Sequence, residues 1–198
     1  MKTLLTVIAF AAATVISSSV MAADPAVGRI EALDNALLST MKEGAALGAK
    51  GRFRKLEPVV QSAFDLPLMT RFAVGPAWTS MSEADHQALI RAFTRLTTAS
   101  YAHNFDRFNG EKFEVSPEAQ TRGPDKIVQS RLIPTGRAAV SLTYRMRLSG
   151  GQWKIVDVYF DAISQLTTRR SDFAAPLAAE GEKGLLAHLE ETSAKLLQ

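Results

Sequence analysis

Few side chains in this 198-residue sequence are placed to make or break bonds. Asp157 and Asp161 are an even number of positions apart, so an extended strand would carry both on one face. Paired carboxylates can divide acid and base roles between them. The same pair also suits a structural part, with Asp157 accepting hydrogen bonds or an arginine at the edge of a sheet. Ser164 has no Gly-x-Ser-x-Gly elbow around it, and His103 has no evident acid partner, so the residues do not spell a hydrolase triad. Ser164 reads better as the N-cap of a following helix. His86, His103 and His188 lie far apart and form no ligand-spaced pair. There is no cysteine, which removes disulfides, thiolate metal sites, a cysteine nucleophile and a lipid-modified N-terminal cysteine. No metal and no cofactor is expected. Arg169 and Arg170 can meet a phosphate headgroup or an acidic partner surface, and they suit a solvated helix face as well.

The elements that would hold these residues follow from spacing. The chain opens as a secretory signal: Lys2 is the only charge before Asp24, and an apolar stretch runs from Leu4 to about Ile16. Val20 and Ala22 put small residues at the −3 and −1 positions, so cleavage is expected before Ala23. Residues 1–22 are then a signal peptide and residues 23–198 one domain, released into the periplasm. The apolar run is shorter than the about 20 residues of a membrane-spanning helix. Without the signal, 22 basic residues face 20 acidic ones, a surplus too small to suggest nucleic acid as the partner.

The mature chain starts helical, with Val27, Ile30, Leu33, Leu37, Leu38 and Met41 near a period of 3.6. Gly44, Gly48 and Gly51 interrupt that pattern, and a second helix is predicted over Arg54 to Ala63. Asp65 caps a short helix through Met69 and Phe72, which Gly75-Pro76 closes. Ser82-Glu83-Ala84-Asp85 starts a long helix carrying Leu89, Phe93, Leu96, Tyr101, Phe105 and Phe108, with its stop at Asn109-Gly110. Four strands are predicted next, over Lys112 to Gln120, Lys126 to Ile133, Ala138 to Leu148 and Gln152 to Phe160. In the third, Val140, Leu142, Tyr144, Met146 and Leu148 share one face. In the fourth, Val156, Val158 and Phe160 share one face and Trp153, Ile155 and Tyr159 the other. Ser149-Gly150-Gly151 is the hairpin signal between them. Two helices close the chain, marked by Ile163, Leu166, Phe173 and Leu177, then by Leu185, Leu186, Leu189, Leu196 and Leu197. The expected class is α+β: a four-stranded antiparallel twisted sheet with helices before and after it, covering one face.

The stretch Phe64-Asp65, Met69, Arg71, Gly75 and Trp78, followed by Phe93 and Tyr101, resembles the MlaC-type periplasmic phospholipid-binding proteins. These are also called the toluene-tolerance auxiliary family of ABC transporters. The second half carries the resemblance too, in Tyr144-Arg145-Met146-Arg147, Trp153-Lys154-Ile155-Val156-Asp157-Val158, Ile163-Ser164, Arg170 and Phe173. Where the family usually shows Glu-Gly-Val-Ser after the last strand, this chain has Asp161-Ala162-Ile163-Ser164. The Asp65-Leu66-Pro67 start and the Arg169-Arg170 pair look more like the hopanoid-associated, HpnM-type subgroup.

The resemblance implies an NTF2-like cone of sheet and helices enclosing an apolar cavity for the tails of a phospholipid or hopanoid-like lipid. It also implies partners: an inner-membrane transport complex of ABC type, and an outer-membrane or other lipid donor or acceptor. From spacing alone, the apolar stripes read first as core packing, which any amphipathic sheet and helix shows. With the resemblance they become cavity lining: Met69, Phe72, Val74 and Trp78 before the long helix; Phe93, Leu96, Tyr101 and Phe105 on it. The sheet would add Val140, Leu142, Tyr144, Met146, Val156, Val158 and Phe160. Arg169 and Arg170 become headgroup or partner contacts. Trp78 can equally pack over the start of the long helix. A carrier needs enclosure because a 16-carbon chain involves roughly 13 kcal/mol of apolar burial, too much for an open surface in water. Two other classes stay open: an enzyme on an NTF2-like fold, isomerase or hydratase in type, using Asp157 or Asp161 as base, and a non-carrier accessory subunit with a filled core.

Overall fold

A computed structural model describes residues 24–198; the expected signal peptide and its cleavage site lie outside them. The first helix, α1 (Pro25–Lys42), begins where Asp24 accepts from the Ala26 N–H at 2.9 Å and Pro25 supplies a preset φ. Its buried stripe runs Ala26, Val27, Ile30, Leu33, Asp34, Leu37, Thr40 and Met41, the 3–4 spacing that the sequence displays. The second, α2 (Gly44–Ala63), takes in two helical runs that meet at a kink at Gly48, one of the glycines expected to interrupt the pattern; its φ of 60° suits a residue without Cβ, and the run after it begins before the predicted Arg54. After α2 the Asp65 N–H donates to the Ile155 carbonyl at 2.9 Å, tying the chain to the sheet.

Asp65 caps α3 (Leu66–Val74) through the Leu68 N–H, and a 3-10 turn over Gly75–Ser80 follows. Ser82 and Asp85 form a reciprocal capping box at the start of α4 (Glu83–Asn104). That helix stops short of Asn109-Gly110. The buried Arg52 guanidinium donates to the Ala102 carbonyl at 2.7 Å and to the Gly44 carbonyl at 2.9 Å, so a side chain fifty positions away satisfies a last-turn acceptor. Phe105 and Phe108 therefore lie beyond the helix.

The sheet has six strands instead of the four predicted: β1 (Lys112–Val115), β2 (Gln120–Arg122), β3 (Asp125–Ile133), β4 (Val140–Ser149), β5 (Gln152–Phe160) and β6 (Ile163–Ser164). All pairings are antiparallel, in the order β1-β3-β4-β5-β6, with β2 also on the outer edge of β3. The single strand expected over Lys112 to Gln120 is broken around Pro117, which has no N–H to give to a ladder. Gly150 and Gly151, at φ 57° and 76°, make the two-residue turn between β4 and β5.

One register change matters for function. Arg145 faces Asp157 but Met146 faces Ile155, so Val156 is an extra, bulged residue. The bulge puts Ile155 beside Met146 on the core side, while Val156 is buried but stands outside the core cluster that holds Val158. The chain closes with α5 (Gln165–Leu196), two helical runs that meet at a kink at Gly181 (φ 63°), which falls between the two helices expected from the sequence. Among the described residues no helix is long and apolar enough to cross a membrane, and no group of three ligating side chains could hold a metal.

Candidate lipid cavity

The long helix α4 presents Phe93, Thr97, Ser100, Tyr101 and Asn104 at spacings of three and four, hence on one face. That face lies opposite β5, from which Val158 and Phe160 project, and beside the first turns of α5, which bring Gln165, Leu166 and Arg169. Met69 of α3 and Phe64, held at the sheet by the Asp65 hydrogen bond, close one side, and Phe105 another. Together these residues line a cavity of about 100 Å³.

Its chemistry is graded. The buried lining residues are all apolar: Phe64, Met69, Phe93, Phe105 and Val158. Thr97, Ser100, Asn104, Gln165 and Arg169, the polar members, are half-buried or exposed, so they mark the outer end. Aromatic edges fix the inner wall: Phe64 meets Tyr101 edge-on at 5.6 Å, Tyr101 stacks on Phe105 at 5.7 Å, and Phe93 meets Phe173 edge-on at 5.9 Å. Burial raises the Tyr101 hydroxyl above its ordinary pKa, with the nearby Asp34 carboxyl adding to the shift, so it stays neutral. At the outer end Arg169 donates weakly to Ser100 Oγ at 3.4 Å and approaches Asp172 at 3.5 Å, which leaves most of its guanidinium free for an anion.

Of the residues singled out from the sequence, the fold brings Met69, Phe93, Tyr101, Phe105, Val158, Phe160 and Arg169 to this cavity. Leu96 and Val74 are packed in the core instead. Phe72 is 45% exposed, because the buried stripe of α3 is Leu66, Met69, Thr70, Ala73 and Val74 and Phe72 falls on its far side. Trp78 stacks on the His86 ring at 3.9 Å, and His86 Nε2 lies 2.8 Å from the Trp78 carbonyl, so Trp78 packs over the start of α4. Leu142, Tyr144 and Met146 are buried in the core cluster, with Val140 packed against it; Asp34 of α1 meets Ser130 on β3 and Tyr144 on β4. Val156 sits at the bulge, and Arg170 is exposed beside Gly75. Phe64, Thr97, Ser100, Asn104, Gln165 and Leu166 also line the cavity and were not expected there from the sequence. The signal for Thr97, Ser100 and Asn104 was present in their helical spacing from Phe93 and Tyr101, hidden by their polarity.

Both candidate catalytic carboxylates have structural partners. Asp157 accepts from Ser164 Oγ at 2.6 Å and from the Leu166 N–H at 3.0 Å, fastening the start of α5 to β5. Ser164 in turn accepts from the Thr167 N–H as the N-cap. Asp161 accepts from the Ser141 N–H at 3.1 Å.

A family profile described as MlaC protein matches residues 31–191. Among solved structures, the chain is similar to a phospholipid-binding protein from Ralstonia solanacearum, determined in complex with a phospholipid. The two share 22% identity and a TM-score of 0.76, over 88% of this chain and 100% of the other.

Proposed function

This chain belongs to the MlaC family, and on that premise we propose that it is a periplasmic carrier that shuttles a phospholipid or hopanoid-like lipid between membranes without changing it covalently. The observation that carries this reading is the graded cavity: an apolar, aromatic-walled interior between α4, α5 and β5 that opens past hydroxyl, amide and guanidinium groups. An acyl chain fits the first environment and a phosphate or glycerol the second. The phospholipid complex of the Ralstonia solanacearum protein supports the same ligand class. At about 100 Å³ the cavity is below the roughly 300–1,000 Å³ of ordinary ligand sites, so loading parts its walls.

In this reading the helices and sheet form an NTF2-like cone, and residues 23–198 act as one lipid-binding domain after cleavage before Ala23. The carrier exchanges its lipid with an inner-membrane transport complex of ABC type and with an outer-membrane or other donor or acceptor. The chemistry needs no metal and no cofactor. Asp157 and Asp161 hold β5, α5 and β4 together and take no part in proton transfer.

The test is to purify the protein from periplasm, extract it, and identify the lipid by mass spectrometry before and after incubation with phospholipids and hopanoids. Intact lipid with no new product is expected. Asp157→Asn should bind the same lipid while losing about 1–3 kcal/mol of stability. A protein that never binds lipid, or an enzyme-dependent product that disappears in Asp157→Asn, would contradict the carrier.

A further inference from the structure

The turn that joins β5 to β6 is built against the preferences of its residues. Asp161 and Ala162 have φ of 44° and 70°, the left-handed pair of a two-residue hairpin turn, where Asn-Gly would be at ease and Ala is not. It is pinned from the other side: the Asp161 N–H donates to the Ser141 carbonyl and its Oδ1 accepts from the Ser141 N–H, both at 3.1 Å. The result is a fixed position for the residues on either side. Phe160 and Ile163 are register partners, so their side chains project on the same face of the sheet.

That face is the cavity side. Phe160 lines the cavity and is still 37% exposed; Ile163, on the last strand of the sheet, is 63% exposed. Directly behind them α5 begins, and within its first two turns stand Arg169, at the outer end of the cavity, and Arg170. Arg169 keeps its approach to Asp172, and Arg170 has no ion-pair partner among the described residues.

We propose that this lip touches a phospholipid bilayer directly. Phe160 and Ile163 enter the boundary between headgroups and acyl chains, Arg169 and Arg170 meet the phosphates, and a tail passes from bilayer to cavity without crossing water. The inference rests on the carrier reading and adds the route of transfer. Two observations favour a bilayer over a protein surface. An apolar tip with cations behind it matches the depth profile of an anionic interface. Two exposed apolar side chains supply far less than the about 800 Å² per partner of a stable protein interface, yet they suit a contact that must release.

The absence of cysteine permits a single reporter, Ile163→Cys carrying an environment-sensitive NBD label. Its emission should rise and shift to the blue with vesicles of phosphatidylglycerol and phosphatidylethanolamine. The response should weaken with salt, with Arg170→Glu, and with pure phosphatidylcholine. In parallel, Ile163→Asp should slow transfer of fluorescent phospholipid from those vesicles about tenfold, while binding of lysophosphatidylcholine from solution is unchanged. A label that stays in water with every vesicle, or wild-type transfer by Ile163→Asp, overturns the proposal. So does a transfer defect seen only when the inner-membrane complex is present, which would assign the lip to a protein partner. Loss of lysolipid binding by the wild type would instead count against the carrier, and the label would still report whether the lip meets the bilayer.

Discussion

Beneath α1, the inner face of the sheet is filled. Val128, Leu142, Tyr144 and Met146 are buried in the core with Ile30, Leu33 and Leu37, and Asp34 is fastened to β3 by Ser130 Oγ at 3.0 Å. Beneath α4 and α5, the same sheet face meets helices through Phe93, Tyr101 and Val158, and there a cavity of about 100 Å³ remains. Both regions are rich in aromatic and aliphatic residues. They differ in how the helix is attached: α1 is tied to the sheet by a buried polar cluster, whereas α4 faces β5 through side chains that leave space between them. Composition does not separate a filled core from a cavity; the placement of the few polar groups does.

The contrast can be broken first by truncation. Leu37→Ala, in the filled half, should cost about 2–5 kcal/mol, because the lost atoms leave a new void among immobile neighbours. Met69→Ala, at the edge of existing space, forfeits fewer contacts and should fall at the low end, about 2 kcal/mol. Urea titration of the two variants measures the difference, and equal losses would mean that the cavity half is as well packed as the other.

The polar cluster gives the second comparison. Burial pushes the Asp34 carboxyl up to about 7; hydrogen bonds from Ser130 and Tyr144 work against that rise and nearby Glu31 adds to it. A folded pKa raised above the ordinary 3.8 means that this group's contribution to stability is full below pH 3.8. It is lost as the pH rises towards about 7. Three pKa units at 1.36 kcal/mol each bound the effect at about 4 kcal/mol, before discounting for relaxation around the charge. Asp34→Asn should therefore match wild type near pH 4 and be the more stable protein at pH 8. Thermal melts at both values test the sign. No corresponding crossover is expected for Ser100→Ala at the cavity.

Much of this layout is written locally in the chain. The caps at Asp65, Ser82 and Ser164 sit where their residue types place them, Ser82 with acids following it, and the alternation of β4 and the Gly150-Gly151 turn are plain from period and composition. The features that decide the cavity are less legible because they depend on distant partners. The Val156 bulge shows only in the register between β4 and β5, and it changes which residues of β5 face inward. The end of α4 depends on Arg52, from another helix. Tyr144 is buried in the core with Ile30, Leu33 and Leu37 of α1, a partnership that no periodicity connects to β4. An apolar stripe could be read, but not which helix would cover it.

The smallest expected effect lies at the lip. Ala162 occupies a left-handed position at φ 70°, so Ala162→Gly should relieve strain and gain about 0.5–1 kcal/mol after the entropy cost of glycine in the unfolded chain. A gain confirms that the turn is held against its residue type, and a loss of stability would show that the Ala162 methyl group contributes packing of its own.

The central claim is that tails enter the α4–α5–β5 half and not the half beneath α1. A phosphatidylethanolamine with a diazirine near the end of one acyl chain, loaded onto the protein and photolysed, tests it directly. Peptide mapping by mass spectrometry should place the adducts in residues 93–105 and 158–166, with none on α1. Adducts concentrated on α1, or scattered over the surface with none in those two segments, would contradict the account.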